Sequence, residues 1–324
     1  MILSIQQKFE RMDSFSTRGE PFFFMVDFLL ENLEIYTVED LQKSDILIEF
    51  QGFKNFKPKE FQANIEWKTF PEVKEIYKKG FDIVKKNLSL GNSYLINYTQ
   101  RSLVETNRSL EEIFYLSKAQ YKVCAPSRFV FFSPETFIKI TDGKISTYPM
   151  KGTIDASIPE AEEQLRNDEK EKAEHYTVVD LLRNDLSMVA DHVRVEDFQR
   201  IDFIRTRQKN LFAMSSEISG ELKPRFQNKV GSIINTLLPA GSILGAPKPK
   251  TLEVTLQAEK NPRGWYTGVC GWFDGKNLDS CVMIRMIQKE GDKLYFHSGG
   301  GITHKSRLDD EYEEMKNKIY VPIY

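Results

Sequence analysis

The 324-residue chain has little cysteine, no excess of basic residues and no long hydrophobic run. Cys124, Cys270 and Cys281 are too few and too far apart for a disulfide framework or a cysteine-rich metal site, which favours a reducing compartment. A formal net charge of -2 argues against a nucleic-acid partner. The apolar run at 22–30 contains Asp27, lacks a cleavage-like tail and is too short to cross a bilayer. We therefore expect a cytoplasmic protein without a membrane partner.

The order of apolar segments predicts an α+β fold. Residues 1–66 alternate short apolar runs with charged turns, which indicates a strand-rich beginning, and helical spacing follows at about 71–90. Groups of strands broken by helices, rather than a regular βαβ alternation, follow along the chain. No repeat or flexible linker interrupts it, so residues 1–324 are predicted to form one domain. Later predicted elements are a charged helix at about 160–184, strands near 192–222, a helix at about 226–238, strands at 265–273 and 279–288, and a last helix.

The last helix has an unusual arrangement of charges. At about 100° per residue, four apolar side chains form one stripe, and three charged side chains border it. The apolar residues are Leu308, Tyr312, Met315 and Ile319, and the charged ones are Glu311, Glu314 and Lys318. Side chains beside the apolar stripe can reach into a cleft. The alternative is a surface ion pair between Glu314 and Lys318, which contributes about 0.3 to 0.5 kcal/mol.

Glu174 is a second carboxylate in an unexpected place. In the helical segment EHYTVVDLLRND it shares a face with Val178, Leu181 and Asp185, which directs it towards apolar surroundings. A buried carboxylate needs a cation or a proton. A metal ion shared with Glu314 would provide the cation, and oxygen ligands favour Mg²⁺. A salt bridge to an arginine or lysine is the alternative.

Two glycine-rich segments are candidates for anion binding. Gly299, Gly300 and Gly301 precede the last helix, and a turn there can direct backbone N–H groups at a carboxylate or phosphate. The segment GSILGAPK at 241–248 does not have the spacing of a phosphate-binding loop. It is predicted to be a tight turn, and a nucleotide site has little support.

Lys151 and Arg285 complete the candidate charges. Lys151 lies in PMKGT, which predicts a turn, and an enclosed lysine there could act as a nucleophile. Arg285 lies in CVMIRMI, which predicts a strand with the arginine on one face. That arginine is expected to meet an anion, or to form a structural salt bridge.

Taken in order, these segments resemble the chorismate-utilising enzymes. The resemblance covers roughly residues 75–324 and implies the anthranilate synthase component I-like fold, with large antiparallel sheets packed as a sandwich and helices on the outer faces. Residues 1–70 would be a shortened N-terminal portion, without the tryptophan site of longer relatives. The matching motifs are SPETF, PMKGT, EHYTVVDLLRND, GSILGAPK, RGWYTGVCGW, IRM, the run Gly299 to Ile302, and Glu311–x–x–Glu314–x–x–x–Lys318.

Within that family, the lysine of PMKGT makes the chain resemble aminodeoxychorismate synthase component I, which carries lysine at this position. Anthranilate synthases usually carry alanine there. The resemblance implies amination of chorismate at C4 for p-aminobenzoate and folate synthesis. Lys151 would attack the ring at C2, and Glu135 would act as the general acid and base. No cysteine lies in a glutaminase-like setting, so a separate glutamine amidotransferase would supply the ammonia.

The resemblance also implies the binding roles. Glu174 and Glu314 would hold Mg²⁺, with Glu311 acting through water, and Lys318 would lie beside the ring carboxylate. The enolpyruvyl carboxylate would be bound by Arg285, Tyr266 and the amides of Gly299, Gly300 and Gly301, and Thr153 would also contact the substrate.

Two positions depart from the family pattern. Ala213 stands where many relatives have a histidine, and Leu186 is followed by Ser187 and Met188 rather than Gly-Arg. Three alternatives to amination therefore stay open. They are anthranilate synthesis, isochorismate or salicylate synthesis, and a non-catalytic chorismate-binding protein.

Overall fold

A computed structural model of the chain describes residues 3–62, 64–204 and 210–323. Its strands are β1 (Phe22–Val26), β2 (Leu33–Thr37), β3 (Leu47–Phe50), β4 (Phe53–Lys54), β5 (Trp67–Phe70), β6 (Leu95–Thr106), β7 (Tyr121–Ala125), β8 (Phe129–Ser133), β9 (Thr136–Thr141), β10 (Lys144–Thr147), β11 (Met150–Asp155), β12 (Ala190–Ile204), β13 (Leu211–Leu222), β14 (Gly245–Ala246), β15 (Val269–Phe273), β16 (Leu278–Val282), β17 (Met286–Glu290) and β18 (Lys293–Ile302).

The helices pack around these strands. They are α1 (Ile5–Arg18), α2 (Val38–Lys43), α3 (Lys74–Ser89), α4 (Leu110–Leu116), α5 (Ala161–Asn167), α6 (Glu169–Val189), α7 (Val230–Leu237), α8 (Gly241–Leu244), α9 (Lys248–Ala258) and α10 (Leu308–Asn317), with a 3₁₀ turn at Pro224–Phe226. The residues that the structure describes include no helix long and apolar enough to cross a membrane.

The strands form two nine-stranded sheets with antiparallel pairing. In the first sheet the order is β11-β13-β10-β9-β16-β15-β1-β2, with β12 also paired to β13. In the second sheet the order is β14-β6-β18-β17-β8-β7-β3-β4, with β5 also paired to β6. One apolar cluster lies between the two sheets. A second cluster lies between the first sheet and its outer helices, and a third lies between the second sheet and its outer helices. The predicted α+β sandwich is confirmed.

Strand β1 shows why the first apolar run of the sequence is buried on both faces. Phe22, Phe24 and Val26 pack with the outer helices, whereas Phe23 and Met25 pack between the sheets. Side chains alternate across a strand, so a continuous apolar run is needed wherever both faces are covered. This run therefore belongs to the middle of the sandwich.

The beginning of the chain differs from the predicted strand-rich pattern, because α1 precedes β1. Ser4 and Gln7 form a capping box, and Gly19 ends the helix in a left-handed conformation. Phe9, Met12 and Phe15 pack one face of α1 against the first sheet's core. The predicted helix at 160–184 is also two helices, α5 and α6, with Asp168 between them.

Candidate active site

A cleft of about 1630 Å³ opens where the two sheets separate, between β11, α6 and α10. Most residues predicted to form the site line this cleft: Glu135, Lys151, Thr153, Glu174, Arg285, Gly301, Glu311, Glu314 and Lys318. The fold thus brings together side chains that are up to 183 positions apart in the sequence, from Glu135 to Lys318 (318 − 135).

Glu135 and Arg285 lie on the two segments that cross between the sheets. Glu135 connects β8 of the second sheet to β9 of the first, and Arg285 connects β16 of the first sheet to β17 of the second. The crossings also lie against each other. The Phe132 amide donates to the Arg285 carbonyl at 3.2 Å, and the Val282 amide donates to the Glu135 carbonyl at 3.1 Å.

The predicted strand through Arg285 is therefore wrong at that residue. Arg285 has a φ of 55°, in the left-handed region, and the strand pattern is interrupted between Val282 and Met286. The interruption lets the chain leave one sheet for the other. It also places the guanidinium at the cleft, where Nη1 donates to the Lys318 carbonyl at 3.1 Å and the cation lies over the Tyr320 ring.

The carboxylate of Glu135 is held by a residue that the sequence analysis gave no role. Ser242 Oγ donates a hydrogen bond to Glu135 Oε1 at 2.9 Å. The Glu135 amide in turn donates to Ser133 Oγ at 3.1 Å. Ser242 lies in α8, inside the segment GSILGAPK, where it is a polar residue between apolar neighbours. That contrast is the signal by which the sequence could have identified it.

Lys151 lies in a strand rather than in the predicted turn. It belongs to β11, which pairs with β13, and the register shifts at Gly152, whose φ is 78°. Such a bulge redirects the neighbouring side chain. A Cβ atom placed on Gly301 would lie 4.0 Å from Lys151 Nζ, so the amine reaches across the cleft to the glycine run.

Behind Lys151, His175 is fully buried, and its Nε2 lies 2.7 Å from Ser216 Oγ. Burial, with a smaller contribution from the positive charge of Lys151, lowers the pKa of His175 to about 4. The imidazole is therefore neutral at physiological pH. It adds no second positive charge beside the Lys151 amine.

The run Gly299–Gly301 lies inside β18, opposite β6, and is not the predicted turn. The Thr99 amide donates to the Glu259 carboxylate instead of to Gly299. Because peptide groups alternate between the two edges of a strand, those of Gly299 and Gly301 point away from β6 and towards the cleft side. Accordingly, Lys318 Nζ donates to the Gly299 carbonyl at 2.8 Å.

Gly300 marks the point where three charged side chains converge, two from α10 and one from Lys318, the residue that caps its C-terminus. A Cβ atom there would lie 3.2 Å from Glu314 Oε1, 3.5 Å from Lys318 Nζ and 3.6 Å from Glu311 Oε2. The predicted orientation of α10 agrees with this arrangement. Met315 and Ile319 are buried, and Leu308 and Tyr312 pack beside them in the same apolar cluster.

Lys318 forms the predicted ion pair with Glu314, with Nζ 2.6 Å from Oε1. The Lys318 side chain is 30% exposed and that of Glu314 is 48% exposed, so the pair lies at the cleft surface. Partial burial nevertheless lowers the pKa of Lys318. Glu314 counteracts that effect, and the charges of Lys151 and Arg285 lower the pKa further. Three cations are therefore close enough to repel one another, an arrangement that an anionic ligand would relieve.

The sequence comparisons agree with the chemistry of this cleft. A family described as chorismate binding enzyme matches residues 29–323. The chain belongs to this chorismate-binding enzyme family. A relative in Haemophilus influenzae, called an uncharacterized PabA-like protein, is 47% identical over 320 residues, covering 99% of this chain and 98% of the relative.

Other proteins similar to this chorismate-binding enzyme have lower sequence identity to it, and some are longer. Anthranilate synthase component 1 of Acetivibrio thermocellus is 32% identical over 252 residues, which cover 72% of this chain and 49% of that protein. Among solved structures, the menaquinone-specific isochorismate synthase MenF from Escherichia coli has a TM-score of 0.68 at 14% identity, covering 98% of this chain and 91% of that one. At that identity the likeness establishes the fold alone.

The acidic residues of the cleft fit a hard divalent cation such as Mg²⁺. Glu311 and Glu314 project from α10 to the space above Gly300, and Glu174 lines the same cleft from α6. All three offer oxygen donors, which Mg²⁺ prefers. Within residues 3–62, 64–204 and 210–323, no three His, Cys, Asp or Glu side chains are arranged closely enough to hold a metal ion.

The predicted site residue Tyr266 and the departing position Ala213 both lie outside the cleft wall. Tyr266 is buried, and its ring lies 4.9 Å from that of His297. Burial raises the pKa of Tyr266, the charges of Arg263 and Arg285 partly offset that effect, and the resulting value is about 12. Ala213 is buried on β13, opposite Thr153 of β11. The residue that departs from the family pattern thus lies beside the strand that carries Lys151.

Proposed function

We propose that this chorismate-binding enzyme aminates chorismate at C4 to form 4-amino-4-deoxychorismate, the precursor of p-aminobenzoate. The observation that carries the proposal is the placement of Lys151 and Glu135 in one cleft with Arg285 and Lys318. The cleft offers an amine nucleophile, a carboxyl group for proton transfer and cations for a dicarboxylate. Displacement of a ring hydroxyl by ammonia through a covalent intermediate uses these groups.

Lys151 and Glu135 would perform the covalent steps. The Lys151 amine forms a bond to C2, both conjugated ring double bonds shift, and the C4–O bond breaks while Glu135 gives its proton to the departing hydroxyl. Ammonia then forms the C4–N bond, both double bonds shift back, and the C2–N bond to Lys151 breaks. Glu135 accepts a proton from the new ammonium group. The carboxyl group thus returns to its starting state with water as the by-product.

The remaining residues would hold the two carboxylates of chorismate. In the described part of the chain Arg285 uses one N–H on the Lys318 carbonyl, and its other donors would bind the enolpyruvyl carboxylate together with the amides of the glycine run. Tyr266 supports that subsite from behind, and Thr153 faces it from β11. Lys318 supplies charge near the ring carboxylate. When bound by Glu174, Glu311 and Glu314, Mg²⁺ would neutralise that carboxylate and fix its orientation.

Ammonia would come from a separate glutamine amidotransferase. A glutaminase of the cysteine type needs an accessible thiolate. Cys124, Cys270 and Cys281 are all buried, and burial raises the pKa of Cys124 and of Cys281. None of the three is suited to attack glutamine. The chain alone is therefore expected to use free ammonium.

The PabA-like name of the Haemophilus influenzae relative supports amination. The similarity extends over 98% of that relative, so it is not confined to one segment. Anthranilate synthesis is the second candidate, because an anthranilate synthase component 1 is 32% identical over 72% of this chain. The two reactions start from the same substrate and differ in whether the ring becomes aromatic. Product identity distinguishes them.

The test is to incubate the purified protein with chorismate, ammonium and Mg²⁺ and to identify products by mass spectrometry. We expect 4-amino-4-deoxychorismate, and none from Lys151→Ala. Anthranilate, isochorismate or salicylate as the product would contradict amination while leaving the family assignment intact. Saturable chorismate binding without turnover, even with a glutamine amidotransferase present, would indicate a non-catalytic protein.

A further inference from the structure

Ser242 makes the one side-chain contact that the structure records for the Glu135 carboxylate within the described ranges, at 2.9 Å. We propose that Ser242 is a positioning residue, which fixes Glu135 Oε1 so that the other carboxylate oxygen exchanges the proton with substrate. This inference rests on the proposed function of Glu135 as the proton carrier. It assigns a task to the segment GSILGAPK, which the mechanism above does not otherwise use.

The helix that carries Ser242 is held firmly from two sides. Asp185 Oδ2 accepts a hydrogen bond from the Gly241 amide at 3.2 Å, just before Ser242. Arg263 Nη1 donates to the Ile243 carbonyl at 3.1 Å, just after it. Both flanking peptide groups are thus fixed by charged side chains, which is a strong form of hydrogen bond. The hydroxyl of Ser242 therefore has a defined position.

Lys248 strengthens this frame. Its Nζ donates to the Leu237 carbonyl at 2.8 Å and lies 2.9 Å from Asp185 Oδ1. The Lys248–Asp185 ion pair consequently joins α6, the end of α7 and the beginning of α9 around the short helix α8. This frame fixes Ser242, and Ser242 in turn restrains the Glu135 carboxylate. Such a restraint matters because small displacements of a catalytic group reduce the rate.

The Glu135 side has matching restraints on its backbone. Its amide is bonded to Ser133 Oγ, and its carbonyl accepts from the Val282 amide. With the backbone fixed on the sheet crossing, the remaining freedom of Glu135 lies in its side-chain torsions. One hydrogen bond to Oε1 removes much of that freedom. Without it, the carboxylate is expected to sample orientations that do not reach the substrate.

The experiment compares Ser242→Ala with Ser242→Thr and with Ser232→Ala. Ser232 is a matched control, since its hydroxyl also donates to a carboxylate, that of Asp13, at a half-buried position away from the cleft. We expect Ser242→Ala to lower kcat at least about ten-fold with little change in KM. Ser242→Thr should recover most of the loss, and Ser232→Ala should stay within about two-fold of the wild type.

A second comparison separates positioning from a general structural role. In a Glu135→Gln background, Ser242→Ala should cause almost no additional loss, because residues that act as a unit are non-additive. A wild-type kcat in Ser242→Ala would overturn the inference. So would an equal loss in the Glu135→Gln background.

A measurement without turnover distinguishes failure of this inference from failure of the proposed function. In protein labelled with ¹³C at glutamate carboxyl groups, the Glu135 resonance is assigned by its loss in Glu135→Gln. Ser242→Ala should shift that resonance, and Ser232→Ala should not. An unshifted resonance overturns the positioning role whatever product the enzyme makes. A shifted resonance in a protein that does not aminate chorismate supports the contact and contradicts the proposed function alone.

Discussion

Two arginines of this protein, the buried Arg263 and the half-buried Arg285, differ in how their donors are used. Arg263 is 3% exposed and uses all five guanidinium N–H groups on the protein. Its partners are both Glu259 oxygens, the carbonyls of Asn97 and Ile243, and Thr267 Oγ1. In the described part of the chain, Arg285 has one recorded hydrogen bond, to the Lys318 carbonyl.

The difference separates a structural charge from a charge that is available to a ligand. Arg263 and Glu259 form a pair exposed by only 2% and 6%, and their bonds join α9 to β6 and α8. Arg285 instead lies near two other cations at the cleft. A saturated buried charge holds the fold together, whereas an unsaturated charge at a cleft is a binding-site candidate. The predictions below test that distinction.

The largest expected effect is on activity, from Lys151→Ala. Removal of the amine should reduce amination about a thousand-fold or more, because no covalent intermediate can form. Stability should hardly change, since Lys151 is half-buried at the edge of the first sheet. Product assays and thermal melting measure the two quantities. Lys151→Arg is the control, which keeps the charge and should not restore activity.

Arg263→Gln should have the largest effect on stability. It leaves the Glu259 carboxylate buried without its cation, which costs about 3 to 5 kcal/mol of unfolding free energy. Urea unfolding measures the loss. Lys43→Gln breaks the exposed Glu39–Lys43 pair and should change stability very little. Equal effects of the two substitutions would contradict the structural role of Arg263.

Arg285→Gln should show the opposite pattern. Chorismate amination, measured as kcat/KM, should fall about 100-fold, which corresponds to losing a charge-assisted contact with a carboxylate. Urea unfolding should be nearly unchanged, because few donors of Arg285 are used by the fold. A large loss of stability with normal kinetics would place Arg285 in the same class as Arg263.

The smallest effect concerns acid stability near Arg263. Burial, with smaller contributions from the charges of Arg101 and Arg263, lowers the pKa of His297 to about 3. Between that value and the ordinary 6.5, the unfolded chain binds a proton that the folded chain does not. Stability from this group is thus present above pH 6.5 and is lost as the pH falls.

From pH 8 to pH 5 the loss due to His297 should be about 2 kcal/mol. His297→Phe, which keeps a ring against Tyr266, should reduce the pH dependence of unfolding free energy by that amount. Urea unfolding at both pH values measures it, with exposed His304→Gln as the control. An unchanged slope in His297→Phe would mean that His297 is not held neutral.

Local patterns predicted the elements whose environment is decided within a few residues. The stripe of α10 correctly placed Met315 and Ile319 in the core and Glu311 beside the cleft, because helical geometry alone fixes those faces. Helix α1 also has local signals in the sequence, the capping residues Ser4 and Gln7 at its beginning and Gly19 at its end. The apolar runs that follow it nevertheless favoured the prediction of strands. The strand-rich prediction was therefore wrong for α1, although the local signal for a helix is present.

Long-range pairing decided the rest. The apolar segment around Arg285 fits a continuous strand, and nothing local tells that its two halves join different sheets. Lys151 and the glycine run were predicted in turns, but both lie in strands whose partners, β13 and β6, are distant in sequence. The contact between Ser242 and Glu135 spans 107 positions and depends on the frame around α8. Such contacts are set by the whole sandwich.

The central claim is that the unsaturated charges of the cleft bind chorismate. Isothermal titration of the protein with chorismate, in the presence and absence of Mg²⁺ and without ammonium, tests it most directly. We expect saturable binding that strengthens with Mg²⁺ and weakens about 100-fold in Arg285→Gln, in line with one charge-assisted contact. Binding that is absent, or that is the same in the wild type and Arg285→Gln, would contradict it.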